Sequence, residues 1–183
     1  MHTIETRRIH LRPFTSDDLD EFALMGRDPE VMRYIGTGRP QSREQTTARL
    51  NGIIEHQNRH GFGLWAAIDK ASGAWMGFCG LQFLDNTSEV EVGYRLAKRF
   101  WGMGLASEGA KASLRYGFEE LGLEQIVAVV QPENVASQRV LEKIGLRYLK
   151  DARFYNTDVN YYALTRDEYH RDDSTYVQRS AEG

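Results

Sequence analysis

Arg99-Phe-Trp-Gly102-Met-Gly104 runs directly into Leu105-Ala-Ser-Glu-Gly109. Upstream, Glu89-Val-Glu-Val-Gly-Tyr-Arg-Leu96 reads as a strand. Downstream, apolar residues recur at Ala106, Ala110, Leu114, Phe118 and Leu121, the spacing of a helical stripe. The segment is therefore strand, glycine-bearing turn, helix N-terminus. Such a turn offers several backbone N–H groups at the positive end of a helix dipole, with little side-chain bulk to keep an anion away. A phosphate or pyrophosphate suits that geometry, so a nucleotide-like ligand is the first expectation.

The common phosphate motifs do not fit. A P-loop ends in Gly-Lys-Ser/Thr, which is absent, and a dinucleotide fingerprint needs a third glycine where Ser107 stands. Glu124 lies twenty residues beyond Gly104, yet it follows the helix instead of ending a second strand. Taken alone, the Gly-x-Gly turn is equally well explained by tight strand–helix packing.

Composition narrows the field. The 183 residues suit one domain, 1–183, with 180–183 expected to fray. Hydrophobic residues at 41% and charged residues at 27% give a soluble globular balance. A net charge of −3 argues against non-specific nucleic-acid binding. Cys79 is the only cysteine, so no intrachain disulfide forms. The N-terminus lacks the apolar run of a secretory signal, and no stretch reaches the length of a membrane span, so a cytoplasmic monomer or homodimer is expected.

Along the chain, residues 4–14 read as one half-buried strand and Ser16 as the cap of a helix. Asp28-Pro29 opens a second helix, and Ser42 caps a longer one reaching toward Arg59. Residues 62–70 and 74–84 form a hairpin around Ser72-Gly73. Gly122 ends the central helix, and Ile126-Val-Ala-Val-Val130 is a buried strand. Asn134 caps a helix ended by Gly145, and strands over 146–155 and 159–164 follow, before a capping box at Thr165-Arg-Asp-Glu168. The strands before Arg99 and at Ile126 are joined by a helix and should be parallel.

Arg99-x-x-Gly102-x-Gly104 resembles the acyl-CoA signature Gln/Arg-x-x-Gly-x-Gly/Ala of the Gcn5-related N-acetyltransferase (GNAT) superfamily. More narrowly, the chain resembles the RimJ/RimL-like branch of ribosomal-protein N-terminal acetyltransferases. The matching residues are Leu11-Arg-Pro-Phe14, Asp28-Pro-Glu-Val-Met-Arg-Tyr34, Val92-Gly-Tyr-Arg-Leu96, Trp101-Gly-Met-Gly-Leu-Ala-Ser-Glu108, Asn134-x-x-Ser137, Glu142-Lys-x-Gly145 and Tyr162-x-Leu-Thr-Arg166. They occur in the family's order over nearly the whole chain.

The resemblance implies a mixed α/β fold: a central, mostly antiparallel twisted sheet, a V-shaped splay between two parallel strands, and helices on both faces. Acetyl-CoA would be the co-substrate, with no metal. Its pantetheine would bond the open backbone of Tyr94, Arg95 and Leu96, opposite a diverging strand at 126–131. Its pyrophosphate would rest on the turn at Arg99, Gly102, Met103, Gly104, Leu105 and Ala106. Arg99 either adds a charge there or stands in solvent. Asn134 and Ser137, three apart on one helix face, would lie near the pantetheine arm and thiol, although N-capping alone accounts for Asn134.

Amine acetylation needs a neutral amine and a stabilised thiolate. Glu89 and Glu91 share a strand face. The resemblance places Glu91 at the amine as general base; otherwise both are solvated. Many superfamily members carry a tyrosine acid at the position held here by Leu141, so Ser137 or a water would assist the thiolate, with Tyr148, Tyr155, Tyr161 and Tyr162 as substitutes. The acceptor wall is expected from residues 26–40, the strand at Glu91 and the hairpin at Tyr155, with Arg33, Tyr34 and Arg39 at the entrance. His56 and His60 have the spacing of helical metal ligands but no third ligand, and read as a polar helix end. Cys79 lies in an apolar strand pattern and reads as a buried small residue, which favours direct transfer over an acyl-enzyme. The expected activity is acetyl transfer from acetyl-CoA to a primary amine, a protein N-terminus or a small molecule, through a ternary complex. The competing reading is a non-catalytic acyl-CoA-binding or regulatory module with the same fold.

Overall fold

The computed structural model describes residues 3–172 and 178–179, so the expected frayed end at 180–183 lies outside the described residues. The strand expected over residues 4–14 is two strands, β1 (Ile4–Glu5) and β2 (Ile9–Pro13), paired antiparallel with Ile4 opposite Leu11. Thr6 drives this reversal. Its buried hydroxyl accepts from Ile9 N–H at 2.9 Å and donates to Glu108 at 2.7 Å, while Arg8 N–H donates to the same carboxylate at 2.8 Å. The partner is about a hundred residues away in sequence, so local pattern carries no trace of it.

Thr15, not Ser16, caps the next segment, because its N–H donates to Asp18 at 2.8 Å across a short 3-10 turn. Helix α1 (Leu19–Arg27) follows. Asp28 then accepts from Glu30 N–H to start α2 (Pro29–Met32), and a Ser42–Gln45 capping box starts α3 (Arg43–His60). Strands β3 (Leu64–Asp69), β4 (Trp75–Phe83) and β5 (Val90–Leu96) form the antiparallel meander. Helix α4 (Leu105–Arg115) widens into a π-helical turn over Tyr116–Glu120 before β6 (Gln125–Val130). Helix α5 (Val135–Lys143), β7 (Arg147–Phe154), β8 (Thr157–Thr165) and the short β9 (Gln178–Arg179) complete the described chain.

The strands form one sheet in the order β7-β8-β6-β5-β4-β3-β2-β1-β9. Every neighbouring pair is antiparallel except β5 and β6. One face carries α4, whose Leu105, Ala110 and Leu114 pack with Ile9, Leu81, Val92 and Ile126. On the other, α1 and α3 press Phe22, Leu50 and Ile53 against Leu64, Ala66, Trp75 and Phe78. Strand β4 serves both layers through a bulge: Gly77 pairs with Ala67, the next pair is Trp75 with Ile68, and Met76 is skipped. The inside–outside alternation therefore changes phase there, and Trp75 and Phe78 share a core although three residues apart.

The feature that positions the site is the join between β5 and β6. They pair at Glu91 opposite Val127 and nowhere further along. Beyond that point β5 stays with β4 as far as Leu96, and β6 stays with β8 as far as Val130. The two strands diverge, leaving an open V whose vertex is Glu91.

Candidate active site

A cavity of about 730 Å³ occupies the mouth of the V. Val92, Gly93, Tyr94 and Arg95 line one arm, and Ala128, Val129, Val130 and Gln131 the other. Helix α3 turns Arg49, Gly52, Ile53 and His56 toward it, the i, i+3, i+4, i+7 stripe of one helical face. Tyr34 and Ile35 close one side, Tyr155 reaches in from the β7–β8 turn, and Asn134, Ser137 and Leu141 come from α5.

Glu91 is 5% exposed, so it is not a solvated strand residue. Its Oε1 accepts from Gln82 Nε2 at 2.7 Å and from the Tyr155 hydroxyl. Burial pushes the Glu91 carboxyl above its ordinary value; the hydrogen bonds from Tyr155 and Gln82 and the charge of Arg49 pull the other way without cancelling it, and Asp85 adds to the rise. Burial and the adjacent Glu91 charge raise Tyr155 in turn, so it stays a protonated donor. Tyr155 is held by two reciprocal bonds with Asp85: its N–H donates to the carboxylate at 3.0 Å, and its hydroxyl accepts from Asp85 N–H at 2.9 Å. Both residues sit at positive φ, +51° for Tyr155 and +47° for Asp85. Non-glycine residues held there are strained, and such strain persists where surrounding contacts over-determine it.

Across the V, the Tyr94 hydroxyl lies 2.9 Å from Ser137 Oγ. Ser137 N–H donates to Asn134 Oδ1 at 3.1 Å, so Asn134 is the helix cap. Burial raises the Tyr94 phenol, and Leu141 is packed in the core. In the turn after β5, Gly102 and Gly104 have φ of +73° and +76°, which only glycine adopts without cost. Arg8 braces this turn, donating to Met103 O at 2.9 Å and to Glu108 at 2.7 Å. Leu105 and Ala106 open α4, where the first N–H groups have no intrahelical partner.

A family model described as an acetyltransferase (GNAT) domain matches residues 8–147. The chain belongs to the GNAT acetyltransferase family. It is 40% identical over 162 residues to the uncharacterized protein YkkB of Bacillus subtilis, covering 86% of this chain and 92% of that one. Among solved structures it is similar to a GNAT-family acetyltransferase from Bacillus anthracis, with a TM-score of 0.78, 29% identity and coverage of 90% and 99%. The fold is also shared with RimL, a ribosomal L7/L12 alpha-N-protein acetyltransferase solved with coenzyme A, at TM-score 0.74 and 17% identity over 90% of this chain and all of that one.

Within this acetyltransferase, the residues singled out in the sequence separate into two groups. Glu91, Tyr94, Arg95, Asn134, Ser137, Tyr34 and Tyr155 all line the one cavity. Arg33 does not; its guanidinium stacks on the Tyr34 ring at 5.2 Å. Arg99 points away from the glycine turn, donating to Trp75 O at 3.1 Å and lying over Phe100 at 5.0 Å. His56 and His60 pack their rings 4.8 Å apart against Phe62 and Phe83. Cys79 is buried beside Ser113, and desolvation pushes its thiol up to about 12. Glu89 accepts from Tyr161, while the Tyr148 hydroxyl donates to Asp151 on the exterior. Gln82 and Arg49 had no site signal in the sequence, and His56 had only its i, i+4 spacing with His60, which read as a polar helix end. The one available for α3 was the i, i+3, i+4, i+7 set, which is hidden because Gly52 interrupts its chemistry.

Proposed function

We propose that this acetyltransferase moves the acetyl group of acetyl-CoA directly to a primary amine in a ternary complex. The observation that carries the reading is the single-pair junction of β5 and β6, which puts a buried carboxylate at the vertex of an open, strand-lined gap. The family match and the coenzyme A in the RimL structure support acetyl-CoA as donor. Tyr94, Arg95 and Leu96 would offer backbone groups to pantetheine. Gly102, Met103, Gly104, Leu105 and Ala106 would cradle the pyrophosphate with N–H groups, which needs the left-handed glycines found there.

Chemistry then follows from the residues at the vertex. An α-ammonium has a pKa near 8, so a carboxylate of raised basicity can take its proton at modest cost. Glu91 accepts that proton, and its hydrogen bonds from Tyr155 and Gln82 fix which oxygen faces the cavity. The neutral nitrogen adds to the thioester carbonyl, the C–S bond breaks, and the nitrogen's second proton passes by way of water to the departing sulfur, while protonated Glu91 returns its proton to solvent. Ser137 Oγ, paired with the Tyr94 hydroxyl, donates to the departing sulfur, which leaves as the thiol once a proton reaches it.

The missing helix tyrosine also favours a second reading, an acyl-CoA-binding module without turnover. Thiol release from acetyl-CoA over a panel of peptides, amino acids, polyamines and amino sugars separates them. The enzyme reading expects acceptor-dependent release that falls at least about a hundredfold in Glu91→Gln, the usual scale of general-base removal, with coenzyme A affinity retained. Tight coenzyme A binding with no acceptor-dependent release would leave the binding-module reading.

A further inference from the structure

Two cations line the cavity with no carboxylate in direct ion-pair contact among the described residues, although Arg49 lies within the field of Glu91. Arg95 follows Glu91 and Gly93 on the same face of β5, and its side chain crosses the Phe78 ring at 5.2 Å. Its one hydrogen-bond contact is Nη1 to Met32 Sδ at 3.6 Å, and its Nε is shut off from solvent with no partner among the described residues. Arg49, from α3, donates to the neutral Gln82 side chain at 2.9 Å. The wall's carboxylates are engaged elsewhere: Glu91 by Gln82 and Tyr155, and Asp85 by the Tyr155 N–H. Neither arginine has a carboxylate within ion-pair distance among the described residues.

Arg49 is exposed and Arg95 half-buried, but a guanidinium whose Nε is shut off from water, as in Arg95, normally brings a carboxylate with it, because an uncompensated charge is costly to bury. Burial, together with the like charge of Arg49, lowers the Arg95 pKa to about 10, yet it stays a cation at neutral pH. His56, whose Nε2 is likewise buried without a partner, is pushed down by burial, His60 and Arg49, so it faces the cavity as a neutral group. The wall therefore carries positive charge in excess of Glu91, whose direct hydrogen bonds come from the neutral Gln82 and Tyr155 side chains.

Resting on the acetyltransferase reading, we propose that the acceptor is a small amine carrying its own anionic oxygen group, a carboxylate or a phosphoryl group. Glu91 receives the amine, and Arg95 with Arg49 receives the anion. An arginine fork matches a planar carboxylate with two parallel N–H donors, so the pair also orients the amine toward the vertex of the V. A neutral peptide N-terminus or polyamine leaves both cations unpaired.

The test uses matched acceptors that share an amine and differ in the anion: free amino acids against their carboxamides, with aminoalkyl phosphonates as a third arm. For the intact protein, kcat/KM for the best acid is expected to exceed that for its amide at least tenfold, mostly through KM. That ratio should collapse toward one in Arg95→Met and in Arg49→Met and be partly restored in Arg95→Lys, with the KM for acetyl-CoA unchanged in Arg49→Met. The phosphonate arm decides which anion is preferred. Amides acetylated as well as acids, or an Arg49→Met effect on acetyl-CoA KM instead, would overturn the proposal. So would failure of every anionic amine. In that event turnover of neutral amines would leave the acetyltransferase reading standing, and no turnover at all would remove it too. A readout independent of turnover is the unfolding midpoint of the ligand-free Arg95→Met protein. It should equal or exceed that of the parent, because an uncompensated cation has gone; a fall of several degrees would make Arg95 a structural residue.

Discussion

Glu91 is a carboxyl that folding takes out of water, and its proton affinity rises for that reason. The groups facing it are the Tyr155 hydroxyl, the Gln82 amide, Arg49 and Asp85. A carboxyl whose folded pKa exceeds its unfolded value binds more protons in the native state between the two. Stability contributed there is present below the unfolded value, about 4.3, and is lost as pH rises through the folded value. Glu91→Gln removes this loss while keeping an oxygen for Gln82 and Tyr155. Its unfolding midpoint relative to the parent should therefore climb between about pH 4 and neutrality, then level off, in a thermal-melt series. A difference that is flat with pH, or falls, would show that burial does not control this group. The burial itself is a tertiary fact: Glu89 and Glu91 share a strand face, only the family resemblance singled out Glu91, and its burial comes with the pairing to Val127 and the bonds from Gln82 and Tyr155.

At the scale of elements, β4 is the hinge of the architecture. Gly77 has φ of +143°, and a Cβ there would lie 2.0 Å from Arg95 O and 2.8 Å from Leu96 Cα. Both obstacles are backbone, so neither can rotate away. Gly77→Ala should force β4 from β5 and cost about 2–3 kcal/mol, combining backbone strain with overpacking. For a domain of this size that is a fall of roughly 4–12 °C in the melting midpoint, and an unchanged midpoint would contradict the bulge geometry. Most elements were legible before any coordinates. The Asp28 and Ser42 caps, the β3–β4 hairpin and the Ile126 strand rest on local rules that hold where they stand. The β1–β2 reversal was not legible, because it is held by Glu108 of α4, about a hundred residues away in sequence. The phase change at Gly77 was likewise hidden, since a bulge is settled by the partner strand.

For the whole molecule, the glycine turn and the cavity lie on different elements that the sheet brings together. Arg8, from the β1–β2 turn, ties the glycine turn to Glu108 in α4, so the proposed phosphate cradle is braced before a ligand arrives. A ligand that binds only the folded state stabilises it in proportion to the logarithm of its saturation, about 2.7 kcal/mol at a hundred times Kd. Coenzyme A should accordingly raise the melting midpoint by several degrees. Gly104→Val, which puts a β-branched residue at a φ of +76°, should lose most of that shift even where its own midpoint is lower. An undiminished shift would move the cradle elsewhere.

Local rules determined most of the order of strands and helices, because capping, glycine turns and hydrophobic period act within a few residues, and the resemblance of the Arg99–Gly104 stretch and its flanking motifs pointed to the family. Tertiary structure decided which charges are buried and what faces them. Glu91, Gln82 and Tyr155 are brought together by strand register and a strained turn, and Arg49 and Arg95 by two elements that meet across the cavity. Desolvation depends on everything packed around a group, and no window of sequence contains that information.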